Sequence, residues 1–217
     1  HDKIRETVLV GLADTEKRNL HLRFAEFLEQ QEEFTAAKIL DYLRQDAANA
    51  EIEPLTSDRI YDLAYHFHAA GDERGFAYQL LAGEMSYRAY ASEDAVEFLK
   101  RAERNLPENA ANTLCYRLNE RLATSLARLR QFEPAFEYYE KSIQHAPSRL
   151  AHATAYIGIA RCHQSLTQYD EAVSNYDCAL EAIGAPRPSS LTASLKLPWL
   201  IAKVMILPSR WQQRREQ

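Results

Sequence analysis

Catalysis or metal binding would have to start from histidine, cysteine and acidic side chains, and the chain offers only a few neighbouring sets of them. His66-Phe67-His68 carries two imidazoles two residues apart. On a helix such residues point about 200° away from each other, so they cannot chelate one ion together. A helical metal pair needs histidines four apart on one face. One of the two is therefore expected to pack or to touch a ligand. Cys162-His163 has the same defect, and His163 is expected to be a packed histidine. His1-Asp2 has the residue types of a phosphohydrolase metal pair, but the further ligands that chemistry needs do not follow downstream. Cys115, Cys162 and Cys178 are odd in number, lack metal or redox spacing, and fall at helical positions read as buried, where a thiol keeps its proton. No Ser/His/Asp or Cys/His nucleophile can be assembled, and no G-x-x-x-x-G-K-[ST] loop is present to cradle a phosphate. The residues predict no catalytic, metal or cofactor site in this chain.

The elements that would position any site are helices. Of 217 residues only 6 are glycine, about 3% against a usual ~7%, which argues against a sandwich, a barrel or a glycine-rich nucleotide fold. The net charge of −5 is unevenly spread: residues 1–184 carry −10 and residues 185–217 carry +5. An acidic body with a basic tail lacks the broad basic stripe of a nucleic-acid binder. The cysteine usage, with no signal peptide and no run of ~18 apolar residues, predicts a cytoplasmic location. The chain starts at His1 within a helical pattern, which suggests a piece of a longer protein.

Two segments repeat at an offset of 37: Leu122-Ala123 falls on Ile159-Ala160, Phe132 on Tyr169, Ala135 on Ala172, Tyr139 on Tyr176 and Ser142 on Ala179. Upstream, Ala95, Leu99, Ala102 and Pro107 fall on Ala135, Tyr139, Ser142 and Pro147 at an offset of 40. Small residues belong where helix axes come closest, the aromatic fills the gap toward the next unit, and proline stops the helix. These slots resemble the tetratricopeptide repeat, whose ~34-residue unit is two antiparallel helices. An earlier unit places Ile60, Leu63-Ala64 and Phe67 before Gly71-Asp72, but Phe76 stands where alanine is expected. Its following helix runs to Tyr90 and must pair with a 92–106 helix across a very short turn. The reading is all-α: a tetratricopeptide-like helical solenoid of roughly three and a half repeats over 55–184.

Residues 1–30 read as two helices, with stripes Ile4, Val8, Leu12 and Leu20, Phe24, Phe27, Leu28, and with Asp14-Thr15 as a cap and Glu16 in the first turn. His1, Asp2, Ile4, Arg5, Glu6, Val8, Leu12, Arg18, Leu20, His21 and Leu28 resemble a segment of bacterial multidomain signal-transduction ATPases of the STAND type. These include maltose-regulator-like activators and ATPase-linked adenylyl cyclases or kinases. Leu63–Asp72 and Ala185–Leu200 resemble the same group. The resemblance implies that 1–54 holds the end of a winged-helix region, while 31–54, which fits the group least well, reads as an inserted helix plus linker. It also implies an upstream ATPase module in cis and a sensing, autoinhibitory or docking role for this part.

In such repeats the first helix of each unit lines a concave groove. Carrying those positions over gives Tyr61, Tyr65 and His68; Glu84, Tyr87 and Arg88; Arg117, Glu120, Thr124 and Arg128; and Arg161, Gln164 and Ser165. Tyrosine and arginine dominate binding hot spots, although the same residues equally suit solvated helix faces. The expected occupant is a protein, peptide or small effector, with no nucleic acid. The alternative function is a free-standing adaptor that docks peptides. Residues 185–217 are expected to cap the last repeat through Leu195, Trp199, Leu200 and Met205, or else to form an interfacial anchor or dimer seam. Basic Arg210, Arg214 and Arg215 suit either role.

Overall fold

The computed structural model describes residues 12–45 and 59–185. Among these residues there are nine helices and no strand. They are α1 (Asp14–Gln30), α2 (Ala36–Arg44), α3 (Arg59–Ala70), α4 (Gly75–Arg88), α5 (Ser92–Arg104), α6 (Asn112–Arg128), α7 (Phe132–Gln144), α8 (Arg149–Ser165) and α9 (Tyr169–Ala182).

Helix hairpins α4–α5, α6–α7 and α8–α9 are closed by one recurring corner. Tyr90, Arg130 and Thr167 each take φ near +60° and separate a long first helix from its partner. In each corner an amide reaches back five residues to a helix carbonyl: Ala91 to Ser86, Gln131 to Leu126 and Gln168 to His163, at 2.9–3.0 Å. This is the Schellman stop, which satisfies carbonyls the helix end would otherwise leave bare. The return edges differ in length. Residues 105–111 join α5 to α6 and residues 145–148 join α7 to α8.

The hairpins stack in two layers. Helices α4, α6 and α8 pack beside one another, while each is paired with the following helix. The slots read from the sequence face the core: Ala95, Ala135, Ala102, Ser142, Ala123 and Ala160 are all fully buried. Ala172 and Ala179 are nearly so. Close approach is enforced by glycine. A Cβ at Gly83 would come within 2.5 Å of Leu99 Cγ, and one at Gly158 within 2.3 Å of the Tyr139 ring.

Helix α3 departs from its expected place. Tyr61 packs on Phe98 of α5 with ring centroids 5.4 Å apart, and His68 Nδ1 meets Asn105 Nδ2 at 3.1 Å. Helix α3 thus lies alongside α5 in the second-helix layer. The long helix α4, not α3, is the first-helix element of its unit, and it does pair with α5.

The stripe expected on α1 is also corrected. Leu20, Phe24 and Phe27 are exposed, Leu28 is half-buried, and Ala25 is the residue fully enclosed. Helix α1 docks on α3 and α4 through Ala25, Leu22 and Leu28 and through a set of polar groups. Arg74 binds Glu26 and Glu29 at 3.0 and 3.3 Å, and the Tyr78 hydroxyl donates to Glu29. His21 and His66 meet through Nδ1 at 2.8 Å. The start of α1 is capped at Ala13, whose N–H donates to Glu16, rather than at Asp14-Thr15. The expected helix over Ile4, Val8 and Leu12, and the tail with its apolar and basic residues, lie outside the described residues, apart from Leu12 at the boundary.

Candidate functional site

The layer formed by α4, α6 and α8 is the candidate recognition wall, and its centre is ionic. Glu84 is fully buried and faces Arg121 Nε at 2.9 Å, Arg88 Nε at 3.3 Å and Arg117 Nη1 at 3.6 Å. Arg121 also reaches Glu120 at 2.5 Å. Burial pushes the Glu84 carboxyl up, but Arg121, Arg117 and Arg88 outweigh it and hold it below the usual value. Arg117 is only 5% exposed, and burial lowers its affinity for its proton. Its Nη2 donates to the Gln45 carbonyl at 2.9 Å, while its Nη1 is buried without a hydrogen bond. A charge network held this far from water persists only because its members compensate one another.

The thirteen sequence-derived positions therefore separate into four sets. Glu84, Arg117 and Glu120 are buried; Glu84 and Arg117 pair across α4 and α6, and Glu120 binds Arg121 and Thr124 within α6. Tyr61, Tyr65 and His68 sit on α3, in the other layer, with Tyr65 edge-on to His21 at 5.6 Å. Burial, then Arg101 and Arg104, lower the His68 imidazole pKa. Tyr87, Arg88, Thr124 and Arg128 make internal contacts. Arg128 Nη1 donates to the Tyr87 carbonyl at 2.9 Å, and its guanidinium lies over the Tyr87 and Tyr90 rings. Thr124 bonds Glu120 and the Tyr139 hydroxyl. Arg161, Gln164 and Ser165 are exposed on α8, on the face that also carries exposed Leu150 and Thr154.

Between the end of α2 and the first turns of α6 and α8 lies a hollow of about 380 Å³. Leu43, Arg44 and Gln45 form one side; Tyr116, Arg117 and Glu120 form its floor; Pro147, Leu150 and Thr154 close the other side. Sequence reasoning missed Tyr116, Leu150 and Thr154. Their only signal was the i, i+4 spacing of Leu150 and Thr154 on a helix whose core face runs through Ala151, Ala155 and Ile159.

The side chains singled out for chemistry are mostly spent on packing. His163 stacks on Phe136 at 4.6 Å. Cys115 and Cys162 are buried, and burial raises both thiols, Cys162 to about 11. Cys178 is half-buried rather than buried. No cluster of three or more His, Cys, Asp or Glu suited to a metal occurs among the described residues. None of the helices described is long and apolar enough to cross a membrane.

Paired helices, small residues at every close contact and a corner repeated at 37–40 residues describe a helical repeat architecture. Residues 112–183 match the tetratricopeptide repeat family. That match spans α6 through α9, so these two hairpins are a tetratricopeptide-repeat region. No curated protein matches the chain. Tetratricopeptide repeats are in general surfaces for protein or peptide partners rather than catalysts, and the exposed face of α8 lies within the matched segment.

Proposed function

We propose that this chain is a regulatory, partner-binding region of a larger cytoplasmic signalling protein, in which occupancy of the wall biases an upstream ATPase module. The observation that carries the reading is the uncovered part of the first-helix layer. On α8, Leu150, Thr154, Arg161, Gln164 and Ser165 are exposed on one face, Leu150 and Thr154 at the edge of a 380 Å³ hollow, while Ala151, Ala155, Ile159 and Ala160 of the same helix are buried. Such a surface loses little stability when its side chains change and gains contact area when a partner arrives. The signalling context rests on the resemblance of the amino-terminal residues and of Leu63–Asp72. A partner would couple to the ATPase only through a difference in affinity for two conformations.

Photo-cross-linking in the cell of origin tests the reading. A photoreactive phenylalanine derivative at Arg161 or Gln164 is expected to trap a defined protein, whereas one at Glu171 or Ser174 on α9 is not. Leu150→Asp should abolish the adduct without changing the melting temperature. Equal labelling from both helices, or none from α8, would refute the assignment.

A further inference from the structure

Helix α4 is covered in a way that its two-layer position does not explain. In a stack of hairpins a first-layer helix keeps one face open, as α8 does with Leu150, Thr154, Arg161 and Ser165. On α4, by contrast, every residue from Gly75 to Glu84 is buried. The extra cover is α2. It packs on both α4 and α6 and is not paired with its neighbour α3, so it lies across the wall rather than inside the repeat stack.

Helix α2 has the form of a docked ligand. Phe34, Ala36, Ile39 and Leu43 are buried, whereas Ala37, Lys38, Asp41 and Arg44 are exposed, giving one apolar stripe at helical spacing. Phe34 lies 6.5 Å from the Tyr78 ring of α4. At the other end, Arg117 of α6 donates to the carbonyl of Gln45, the residue that ends α2. The helix has nine residues, shorter than isolated helices that persist in water, so the wall itself keeps it folded. The hollow begins where α2 stops, with Leu43, Arg44 and Gln45 on its edge.

We infer that α2 occupies, in cis, a seat made for the amphipathic helix of a protein partner: the wall of α4 and α6 takes an aromatic and two aliphatic side chains at the spacing of Phe34, Ile39 and Leu43, and a partner helix gains that seat by displacing residues 34–45. The inference deepens the partner-binding reading by naming what the partner presents and what holds the seat closed. Helix-in-groove recognition of this kind uses anchors on one face of the incoming helix, with the rim setting orientation. Here Arg117 would grip the carboxyl end of the incoming helix as it grips Gln45.

Two measurements on the full chain test it. In hydrogen exchange of the unaltered protein, amides of 36–44 should exchange by local opening, faster by a factor of ten or more than amides of 76–84. Exchange of both segments only through global unfolding would overturn the inference. In the second, the double substitution Ile39→Asp, Leu43→Asp should keep a cooperative melt and bind a labelled peptide of residues 33–45 added in trans. The unaltered chain should bind it at least tenfold more weakly, and a peptide carrying the same two aspartates should not bind. A folded variant that ignores the peptide, or a variant that unfolds and is not restored by it, would make α2 an indispensable part of the core and sink the idea. Cross-linking from α8 is independent of both results, so the broader reading stands or falls separately.

Discussion

Replacing Glu84 by glutamine keeps the shape of the side chain and removes the charge that three guanidiniums share. Glu84 is fully buried, so little solvent response replaces the lost carboxylate. Removing one member of a buried ion pair costs about 3–5 kcal/mol. Arg121 retains Glu120 at 2.5 Å, and Arg88 is more than a third exposed, so the cost should fall near the low end, about 3 kcal/mol. For a chain of this size that corresponds to a fall in melting temperature of roughly 6–12 °C. Urea unfolding followed by circular dichroism reads the same quantity directly. The pH dependence has a definite sign. The folded carboxyl ionises below the usual carboxylate value of 4.5, so its contribution is fully present above that value and fades as the pH falls through the folded pKa. The deficit of Glu84→Gln should therefore shrink in acid. A loss under 1 kcal/mol for Glu84→Gln at neutral pH, or a deficit that does not shrink in acid, would refute the account of the wall as an electrostatically closed unit.

Gly158→Ala should destabilise by about 1–3 kcal/mol or more, since its new methyl meets a Tyr139 ring that is itself buried and hydrogen-bonded to Thr124; an unchanged urea midpoint would contradict the α7–α8 contact. Thr167→Gly should raise stability by about 1 kcal/mol, because a β-branched residue at φ +59° pays the left-handed penalty that glycine avoids. A drop in its melting temperature would show that the corner depends on the threonine side chain.

The repeat was legible because its slots are filled by residue types with one packing purpose. Ala135 and Ala172, or Ala102 and Ser142, are small wherever two helices nearly touch, and all are enclosed. The corners were not legible, because Tyr90, Arg130 and Thr167 take a left-handed backbone without the glycine that usually marks it. The layer of α3 was misjudged for the opposite reason: Gly71 gives it a corner like that of a first helix, while the pairing of α4 with α5 leaves it in the other layer. On α1, apolar periodicity pointed to Phe24 and Phe27, yet the packed residues are Ala25, Leu22 and Leu28, and much of the attachment runs through Glu26, Glu29 and His21, which a hydrophobic count cannot rank. The buried status of Glu84, Arg117 and Glu120 is a tertiary outcome. Such residues are normally solvated, and only their mutual proximity across α4 and α6 makes enclosure affordable. Helix α2 was visible as a helix, but nothing in its residues says which surface it meets.

The two repeat lengths have a single origin. Each hairpin corner spends the same three residues, 129–131 and 166–168, whereas the return edges spend seven, 105–111, and four, 145–148, which accounts for the step from 40 to 37. Between the described hairpins, the variation in length therefore lies on one border. One residue added at 129–131 would swing every side chain of α7 by about 100° and misalign its face, while a peptide tag or reporter spliced in near Pro107–Asn109 would ride outside the stack and leave both neighbouring hairpins in phase.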